Sequence, residues 1–322
     1  MNLMMYIFCA AVLIGMAAAA AGRPPGYPSN ITTLLQSYGY PVESYQVTTE
    51  DGYILSMQRV RRCGSSCRGV VMFQHGLLDC AIGINLNEPH EDLMLMLADA
   101  GYDVFYGNNR GNGYSMGAVH FSDDTDQFWR FSFDEMARYD LPAQTRFALD
   151  TARASQLVYI GHSEGTIQAF AGFLNHTVAS WVKLYVALAP VGRVGNQKSE
   201  FLSVLAELDT ATILGALGVR QFSLSESIHR FAPDICIIDP SVCLFVMDAI
   251  AGPTNHLNAS RQYFYVVCLL FIYYYYYYLF VVRARAYGVR FCSADDDETF
   301  APIRVLCDHA DGESKIYRNS SS

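Results

Sequence analysis

The chain of 322 residues is long enough for one large domain or two ordinary ones, and its hydrophobic content of 52% excludes a disordered protein. It has 22 basic and 31 acidic residues, a net charge of -9, and no Lys/Arg cluster before residue 283. Nucleic-acid-binding proteins concentrate basic residues on one surface. The charge pattern therefore excludes nucleic acid as a main partner.

The first 21 residues have the composition of a secretory signal peptide. The apolar run Met4–Met16 is short for a membrane span, and it leads into the small residues Ala17–Ala21, which suit signal peptidase. We therefore predict a signal peptide over residues 1–21 and a mature chain that begins near Gly22. An N-terminal membrane anchor is the alternative, because no Lys or Arg precedes the apolar run.

Glycosylation sequons and cysteines also fit the secretory pathway. The Asn-x-Ser/Thr sequons begin at Asn30, Asn175, Asn258 and Asn319. Outside the signal peptide there are eight cysteines, and some of them should pair in an oxidising compartment. The nearest candidates are Cys63 with Cys67 and Cys236 with Cys243. A zinc site at Cys63 is disfavoured, because no second Cys or His pair lies near it at ligand spacing.

Strand and helix signals alternate from the hairpin onward. The predicted strands are Tyr45–Thr49 and Tyr53–Val60, which form a β-hairpin, then Val70–Gln74, Asp103–Tyr106, Gln156–Ile160 and Lys183–Leu188. The predicted helices are Glu91–Ala100, Phe133–Ala152 and Gly165–Leu174. Strands that alternate with helices favour right-handed crossovers and a sheet covered on both faces. The sequence therefore predicts an α/β fold with a mainly parallel sheet and an N-terminal antiparallel hairpin.

A candidate nucleophile follows one of these strands. The segment Gly161–Gly165 (GHSEG) has the G-x-S-x-G pattern of a nucleophile elbow, in which glycines let the chain turn sharply and expose the Ser163 hydroxyl. A tetrahedral oxyanion needs two N–H donors, and we assign these to the backbone of Leu77 and Glu164. We expect His75 to brace the loop that contains Leu77 and to take no part in catalysis.

The chain closely resembles the acid lipase family of α/β-hydrolases, the family of gastric and lysosomal acid lipases. The segments that carry the resemblance are FQHGLLD (73–79), LADAGYDVFYGNNRGN (97–112), FWRFSFDEMARYDLPA (128–143) and YIGHSEGT (159–166). Together with a similar N-terminal stretch, they extend the resemblance from about Tyr27 to about Arg261. The third segment is the one that distinguishes acid lipases from other α/β-hydrolases.

The resemblance implies a hydrolase core over residues 22–189 and a partial helical cap over residues 190–261. It assigns Ser163 as the nucleophile and Leu77 and Glu164 as the oxyanion hole. It also implies hydrolysis of triacylglycerols or cholesteryl esters at a lipid–water interface, in the lysosome or outside the cell, without a metal or cofactor. Glu164 departs from the family, which usually has Gln at this position.

The triad Asp and His cannot be assigned from the sequence. The family would supply them on strands that follow the cap, in the chain order Ser, Asp, His, but residues 262–322 resemble nothing in the family. His309 is the only histidine placed late enough, and no strand signal precedes it. We therefore expect the last strands to be missing and the ester hydrolase to be impaired. The alternative is a non-catalytic, membrane-anchored or lipid-binding pseudo-lipase.

Residues 262–322 form an atypical tail. Its hydrophobic segment 263–282 contains no charge and includes six consecutive tyrosines. Translation of non-coding sequence is the leading hypothesis for the tail. A transmembrane helix is the alternative, which the preference of tyrosine for the membrane interface disfavours. We expect the tail to pack loosely and to leave the strand Lys183–Leu188 as an exposed edge.

Overall fold

The computed structural model describes residues 30–77, 79–85, 87–192 and 241, together with the strand segments 305–307 and 315–316. The structural statements below concern these residues. The predicted signal peptide (1–21), almost all of the predicted cap (190–261) and most of the tail (262–322), including the apolar segment 263–282, lie outside them.

One mixed sheet organises the described residues. Its strands are β1 (Val42–Thr48), β2 (Tyr53–Arg61), β3 (Val70–Gln74), β4 (Asp103–Gly107), β5 (Gly117–Ala118), β6 (Leu157–His162), β7 (Val182–Leu188), β8 (Val305–Cys307) and β9 (Lys315–Ile316). Their order is β1-β2-β4-β3-β6-β7-β8-β9, and β5 pairs with β2. The strands from β4 to β8 in this order run parallel, whereas β1, β2 and β9 pair antiparallel. The predicted α/β fold and N-terminal hairpin are confirmed.

Helices connect the strands. They are α1 (Ile31–Ser37), α2 (Leu93–Asp99), α3 (Phe133–Glu135), α4 (Leu141–Ala152), α5 (Glu164–Gly172) and α6 (His176–Ser180), with short 3-10 helices at Ala81–Asn85 and Pro89–Glu91. Side chains cap several of their N-termini: Asn30 accepts the Thr33 N–H at α1, and Asp92 accepts the N–H groups of Met94 and Leu95 at α2.

A π-helical turn, Met136–Asp140, interrupts the predicted helix Phe133–Ala152 between α3 and α4. Pro142 lies at the start of α4 and has no N–H to bond the carbonyl four residues earlier, and its ring would clash with that carbonyl in a regular helix. The wider π turn is a local solution to such a conflict. It also brings the Asp140 carboxylate into contact with Arg110.

The sheet is buried on both faces. In β3, Val71 and Phe73 pack with residues of α1 and α2, whereas Val70 and Met72 pack with residues of α4 and α5. Successive side chains of a strand point to opposite faces, so the four consecutive apolar residues Val70–Phe73 must be covered on both sides. This two-sided burial leaves the carboxyl ends of the parallel strands as the edge where a site can form.

The tail contributes two strands to the sheet, so the prediction that the last strands are missing is wrong for these segments. β8 pairs parallel with β7, with Tyr185 opposite Val305 and Ala187 opposite Cys307, and β9 pairs antiparallel with β8. The edge of β7 would otherwise carry unpaired N–H and C=O groups. More than 100 residues separate Leu188 from β8, and a parallel crossover needs only a dozen or more.

A disulfide joins Cys63 to Cys67, as predicted, with the two Cα atoms 5.0 Å apart. Cys80, which is buried, also takes part in a disulfide. The second candidate pair, Cys236 with Cys243, lies outside the described residues. Within the part of the chain that the structure describes, no helix has the length and apolarity needed to span a bilayer.

Candidate active site

Ser163 lies at a sharp turn between β6 and α5. Its φ and ψ are 51° and -111°, a combination that costs a non-glycine residue about 1 to 3 kcal/mol. Backbone hydrogen bonds hold the turn: the Ser163 N–H donates to the Leu188 carbonyl at 2.9 Å, and the Ser163 carbonyl accepts the N–H and the hydroxyl of Thr166. This conformation is the strained strand-turn-helix geometry of a nucleophile elbow.

Two glycines of the GHSEG motif are required by close backbone contacts. A Cβ atom on Gly161 would lie 2.6 Å from the Gly165 carbonyl oxygen, and a Cβ atom on Gly165 would lie 2.5 Å from the Gln74 carbonyl oxygen. The second contact joins the start of α5 directly to the end of β3. Both positions therefore require glycine, because any side chain there would overlap neighbouring backbone atoms.

The loop after β3 lies against the elbow. We define this loop as residues 75–80, of which Leu78 lies outside the described residues. A Cβ atom on Gly76 would be 2.9 Å from the Ser163 Cβ, so the loop backbone contacts the nucleophile closely. Leu77 is half-buried against an aromatic cluster that includes Tyr53, Phe128 and Trp129. Glu164 is buried at the first position of α5. Their assignment as oxyanion donors stays a prediction.

His75 braces this loop, as expected. Its Nδ1 donates to the Gly76 carbonyl at 2.8 Å, and its Nε2 accepts the backbone N–H of Asn109 and the side-chain amide of Asn112, each at 3.0 Å. Burial lowers the pKa of His75 to about 4. The imidazole is therefore neutral at pH 7, and both of its nitrogens are occupied by structural hydrogen bonds.

A buried arginine joins three of the segments that resemble the family. Arg110 forms paired hydrogen bonds with Asp140 in the π turn and with Asp51 in the β1–β2 turn. Its guanidinium also lies 3.9 Å from the centre of the Tyr53 ring. Sequence reasoning missed this network, although Arg110 and Asp140 lie in the quoted segments and Asp51 lies in the similar N-terminal stretch. It fixes the loop after β4 against the π turn and the β1–β2 turn.

A second pair that the sequence analysis missed lies beside the nucleophile. The Asp79 carboxylate oxygen Oδ2 is 3.9 Å from Nδ1 of His162, the residue before Ser163. Burial raises the pKa of Asp79 to about 7, and burial lowers the pKa of His162. Only the positions of the two residues in the sequence could have indicated this pair: Asp79 ends the FQHGLLD segment, and His162 directly precedes the nucleophile.

The histidine of a catalytic triad does not lie within the described ranges. His176, the one described histidine after Ser163, is exposed at the first position of α6, at the opposite edge of the sheet. His229, His256 and His309 lie outside these ranges. Among the residues described, no side chain hydrogen-bonds the Ser163 hydroxyl, and no group of three or more His, Cys, Asp or Glu side chains could hold a metal.

Two family descriptions match the chain: a partial alpha/beta-hydrolase lipase region over residues 31–86 and an alpha/beta hydrolase fold over residues 69–218. The chain is 39% identical to lipase member M of Homo sapiens, over 73% of this chain and 58% of that protein. It is 45% identical to gastric triacylglycerol lipase of Rattus norvegicus, over 54% of this chain and 47% of that protein.

The chain spans about half to two thirds of the length of these curated relatives. The coverage is highest for lipase member J of Homo sapiens among the three, with 36% identity over 73% of this chain and 67% of that protein. The matched residues contain the elbow, the loop after β3 and the Arg110 network. The chain belongs to the acid lipase family of α/β-hydrolases.

Proposed function

We propose that the chain is a carboxylic ester hydrolase of lipid esters that acts by acyl transfer through Ser163. The observation that carries this proposal is the strained elbow at Ser163, in direct contact with the loop after β3. A hydroxyl held on a strained turn, beside a loop that offers backbone N–H groups, is what acyl transfer requires. The same arrangement has no evident role in stabilising the sheet.

The reaction has two steps. The Ser163 oxygen attacks the ester carbonyl, its proton passes to a base, and the alcohol leaves to give an acyl-enzyme; water then releases the fatty acid. The N–H groups of Leu77 and Glu164 stabilise the oxyanion in both steps. The base belongs to a part of the chain outside the described residues. β8 ends directly before Asp308 and His309 in the sequence, which makes His309 the first residue to test.

The substrate class we propose is a water-insoluble ester, a triacylglycerol or a cholesteryl ester, taken from a lipid–water interface. One relative is named gastric triacylglycerol lipase and others are named lipase members. The half-buried Leu77 packs against the aromatic cluster of Tyr53, Phe128 and Trp129, and it follows Gly76, whose backbone contacts Ser163. An apolar wall beside the nucleophile suits an acyl chain better than a polar substrate.

A non-catalytic lipid-binding protein is the second candidate. It is favoured by one observation: no side chain among the described residues hydrogen-bonds the Ser163 hydroxyl. Without a base, the elbow would retain its shape and lose most of its reactivity. Loss of the histidine from a Ser-His-Asp triad lowers turnover by roughly a million-fold in the subtilisin case.

Hydrolysis of a short-chain nitrophenyl ester by the full chain distinguishes the two candidates. Turnover that disappears in Ser163→Ala supports the hydrolase, and loss of the same size in His309→Ala would assign the base. Labelling of Ser163 by a fluorophosphonate gives a second readout that needs no soluble product. If neither turnover nor labelling exceeds that of Ser163→Ala, while the chain still binds emulsion droplets of triacylglycerol, the lipid-binding alternative is correct.

We propose that the chain enters the secretory pathway, to be secreted or delivered to lysosomes. The Cys63–Cys67 disulfide fits an oxidising compartment, and the sequon at Asn175 is exposed beside the N-terminus of α6. Digestion with an N-glycosidase should lower the mass of the expressed chain, and Asn175→Gln should remove one glycan. A chain without any glycan after expression in a eukaryotic cell would contradict this route.

A further inference from the structure

Asp79 lies in the loop after β3, and the reaction proposed above gives it no role. Its Oδ1 accepts the Cys80 N–H at 2.8 Å, and the Gly76 N–H lies near enough to the carboxylate to oppose the rise in its pKa. One side chain therefore faces backbone groups on both sides of Leu77. Because this carboxylate meets N–H groups that are four residues apart in the chain, it can restrain the backbone on either side of Leu77.

Gly76, at the start of this segment, lies against the elbow. In addition to its contact with the Ser163 Cβ, a Cβ atom on Gly76 would be 3.2 Å from Nδ1 and 3.3 Å from the carbonyl oxygen of His162. Both the nucleophile and the residue before it therefore lie within van der Waals contact of the loop. A loop that relaxed outward by 1 Å would move the Leu77 N–H by a similar amount, and misplacement of that size can cost a hundred-fold in rate.

The carboxylate itself is closely packed. A Cβ atom on Gly83, in the 3-10 helix that follows, would lie 1.9 Å from Oδ1 and 2.7 Å from Oδ2 of Asp79. The ionisable side chain that faces Asp79 among the described residues is His162, at the end of β6, with 3.9 Å between Nδ1 and Oδ2. The loop, the elbow and the 3-10 helix thus all contact this side chain, which is 19% exposed.

A comparison with Asp92 shows that helix capping does not explain why the Asp79 carboxyl occupies a site that raises its pKa. Both carboxyls are buried enough to raise their pKa to about 7. Asp92 offsets this cost by capping α2, where it accepts two N–H groups of the first turn. Asp79 precedes a 3-10 helix but bonds the N–H of Cys80, which comes before that helix begins.

We propose that Asp79 is a positioning residue, which holds the loop after β3 against the nucleophile elbow and so fixes the Leu77 N–H beside Ser163. Its effect on catalysis rests on the proposed ester hydrolysis, whereas its effect on the loop does not. The same geometry explains why residue 83 is glycine, since any side chain there would displace the carboxylate.

The test compares Asp79→Asn with Asp79→Leu in the full chain, because the two side chains have similar shapes and only Asn can accept a hydrogen bond. Amide hydrogen exchange is followed in the peptide that covers residues 75–80. We expect exchange at least about tenfold faster in Asp79→Leu, the loss expected for hydrogen bonds to a charged group, and within about threefold of wild type in Asp79→Asn. Asp92→Asn is the matched control and should leave this peptide unchanged.

Gly83→Ala provides a second variant that keeps Asp79 and displaces its carboxylate. We expect it to accelerate exchange in the same peptide, whereas Gly64→Ala, which has no atom within 4 Å of the new methyl group, should not. Exchange in Asp79→Leu within twofold of wild type overturns the proposal. So does equal acceleration in Asp79→Asn or Asp92→Asn, or an unchanged peptide in Gly83→Ala.

Kinetics separate positioning from a purely structural role. On a short-chain nitrophenyl ester, Asp79→Leu should lower kcat by at least about tenfold and leave KM within about twofold, since the donor acts on the transition state. An unchanged kcat alongside faster exchange overturns the catalytic part. A wild-type chain that hydrolyses no ester rejects the proposed function, and the exchange result then still decides whether Asp79 holds the loop.

Discussion

The nucleophile elbow and the loop after β3 meet at Ser163, but different interactions hold them. The elbow depends on backbone atoms: glycine contacts at Gly161 and Gly165, and main-chain hydrogen bonds from Ser163. The loop depends on side chains, since His75 and Asp79 accept or donate its hydrogen bonds. The conformation of the elbow should therefore depend on the size of the side chain at each glycine position. The conformation of the loop should depend on the protonation of His75 and Asp79.

The two regions therefore contribute to the site in different ways. A nucleophile must be placed rigidly, and packed backbone cannot relax cheaply. A loop that contains no regular structure needs partners for its N–H and C=O groups, and buried side chains supply them. The cost of the second solution is that its hydrogen bonds depend on pH. The predictions below test each half of this comparison in turn.

We expect the largest loss of stability in Gly165→Ala. The new methyl group would lie 2.5 Å from the Gln74 carbonyl oxygen, a backbone atom inside the sheet that cannot move aside. We expect the free energy of unfolding to fall by about 3 kcal/mol or more. Gly64→Ala, at an exposed position with open space around it, should stay within about 0.5 kcal/mol of wild type in the same denaturant titration. Equal stability of the two variants would contradict packing as the constraint.

The pH dependence of stability should change in His75→Gln. Burial lowers the folded pKa of His75 to about 4, below its ordinary value of 6.5. Between these values the unfolded chain binds a proton that the folded chain does not, so His75 makes stability rise with pH from about 4 to 6.5, by up to about 1.4 kcal/mol per unit. Gln can keep the hydrogen bonds but does not titrate.

The measurement is the difference in unfolding free energy between wild type and His75→Gln across this range. The difference should grow as pH rises and level off above 6.5. Asp79→Asn should give a difference of the opposite sign, because a raised carboxyl pKa of about 7 makes stability fall as pH rises towards 7. Exposed His176→Gln is the control for the loss of a histidine that makes no contact with the loop. Parallel curves for wild type and His75→Gln would show that the loop is not held by a neutral imidazole.

The local parts of the fold and site could be predicted because short stretches encode them. The hairpin, the strand Val70–Gln74 and the elbow at Ser163 each depend on a few neighbouring residues whose periodicity or glycine spacing is visible. The position of Ser163 followed from its strand-turn-helix context. The role of His75 as a brace was also predictable, since a histidine directly after a buried strand needs hydrogen-bond partners.

The parts that could not be predicted depend on residues far apart in the chain. Arg110 contacts Asp51 and Asp140 across 59 and 30 residues, and no local pattern pairs them. Asp79 meets His162 only because β3 and β6 are neighbours. β8 has three residues, too few to show a period, and its pairing with β7 is decided by the open edge it covers.

Glu164→Gln tests the ionisable side chain of the residue whose N–H we propose as the second oxyanion donor. Glu164 is 1% exposed, and an ionised carboxylate roughly 5 Å from the developing charge would oppose it by about 1 to 3 kcal/mol. Removal of the charge should therefore accelerate fluorophosphonate labelling of Ser163 by about fivefold or more at neutral pH. The gain should be smaller at acid pH, where the carboxyl is protonated. A ratio between the variants that does not change with pH would count against the electrostatic explanation.

The smallest expected effect concerns the strain at Ser163. Its φ of 51° and ψ of -111° are unfavourable for any residue with a Cβ atom and accessible to glycine. The free energy of unfolding of Ser163→Gly should therefore be about 1 kcal/mol higher than that of Ser163→Ala, because glycine removes the strain. The greater entropy of glycine in the unfolded chain offsets part of this gain. Both variants lack the hydroxyl, so the comparison is independent of activity. Equal or lower stability of Ser163→Gly in denaturant titrations would mean that the turn is relaxed, and that the elbow is held by its glycine contacts alone.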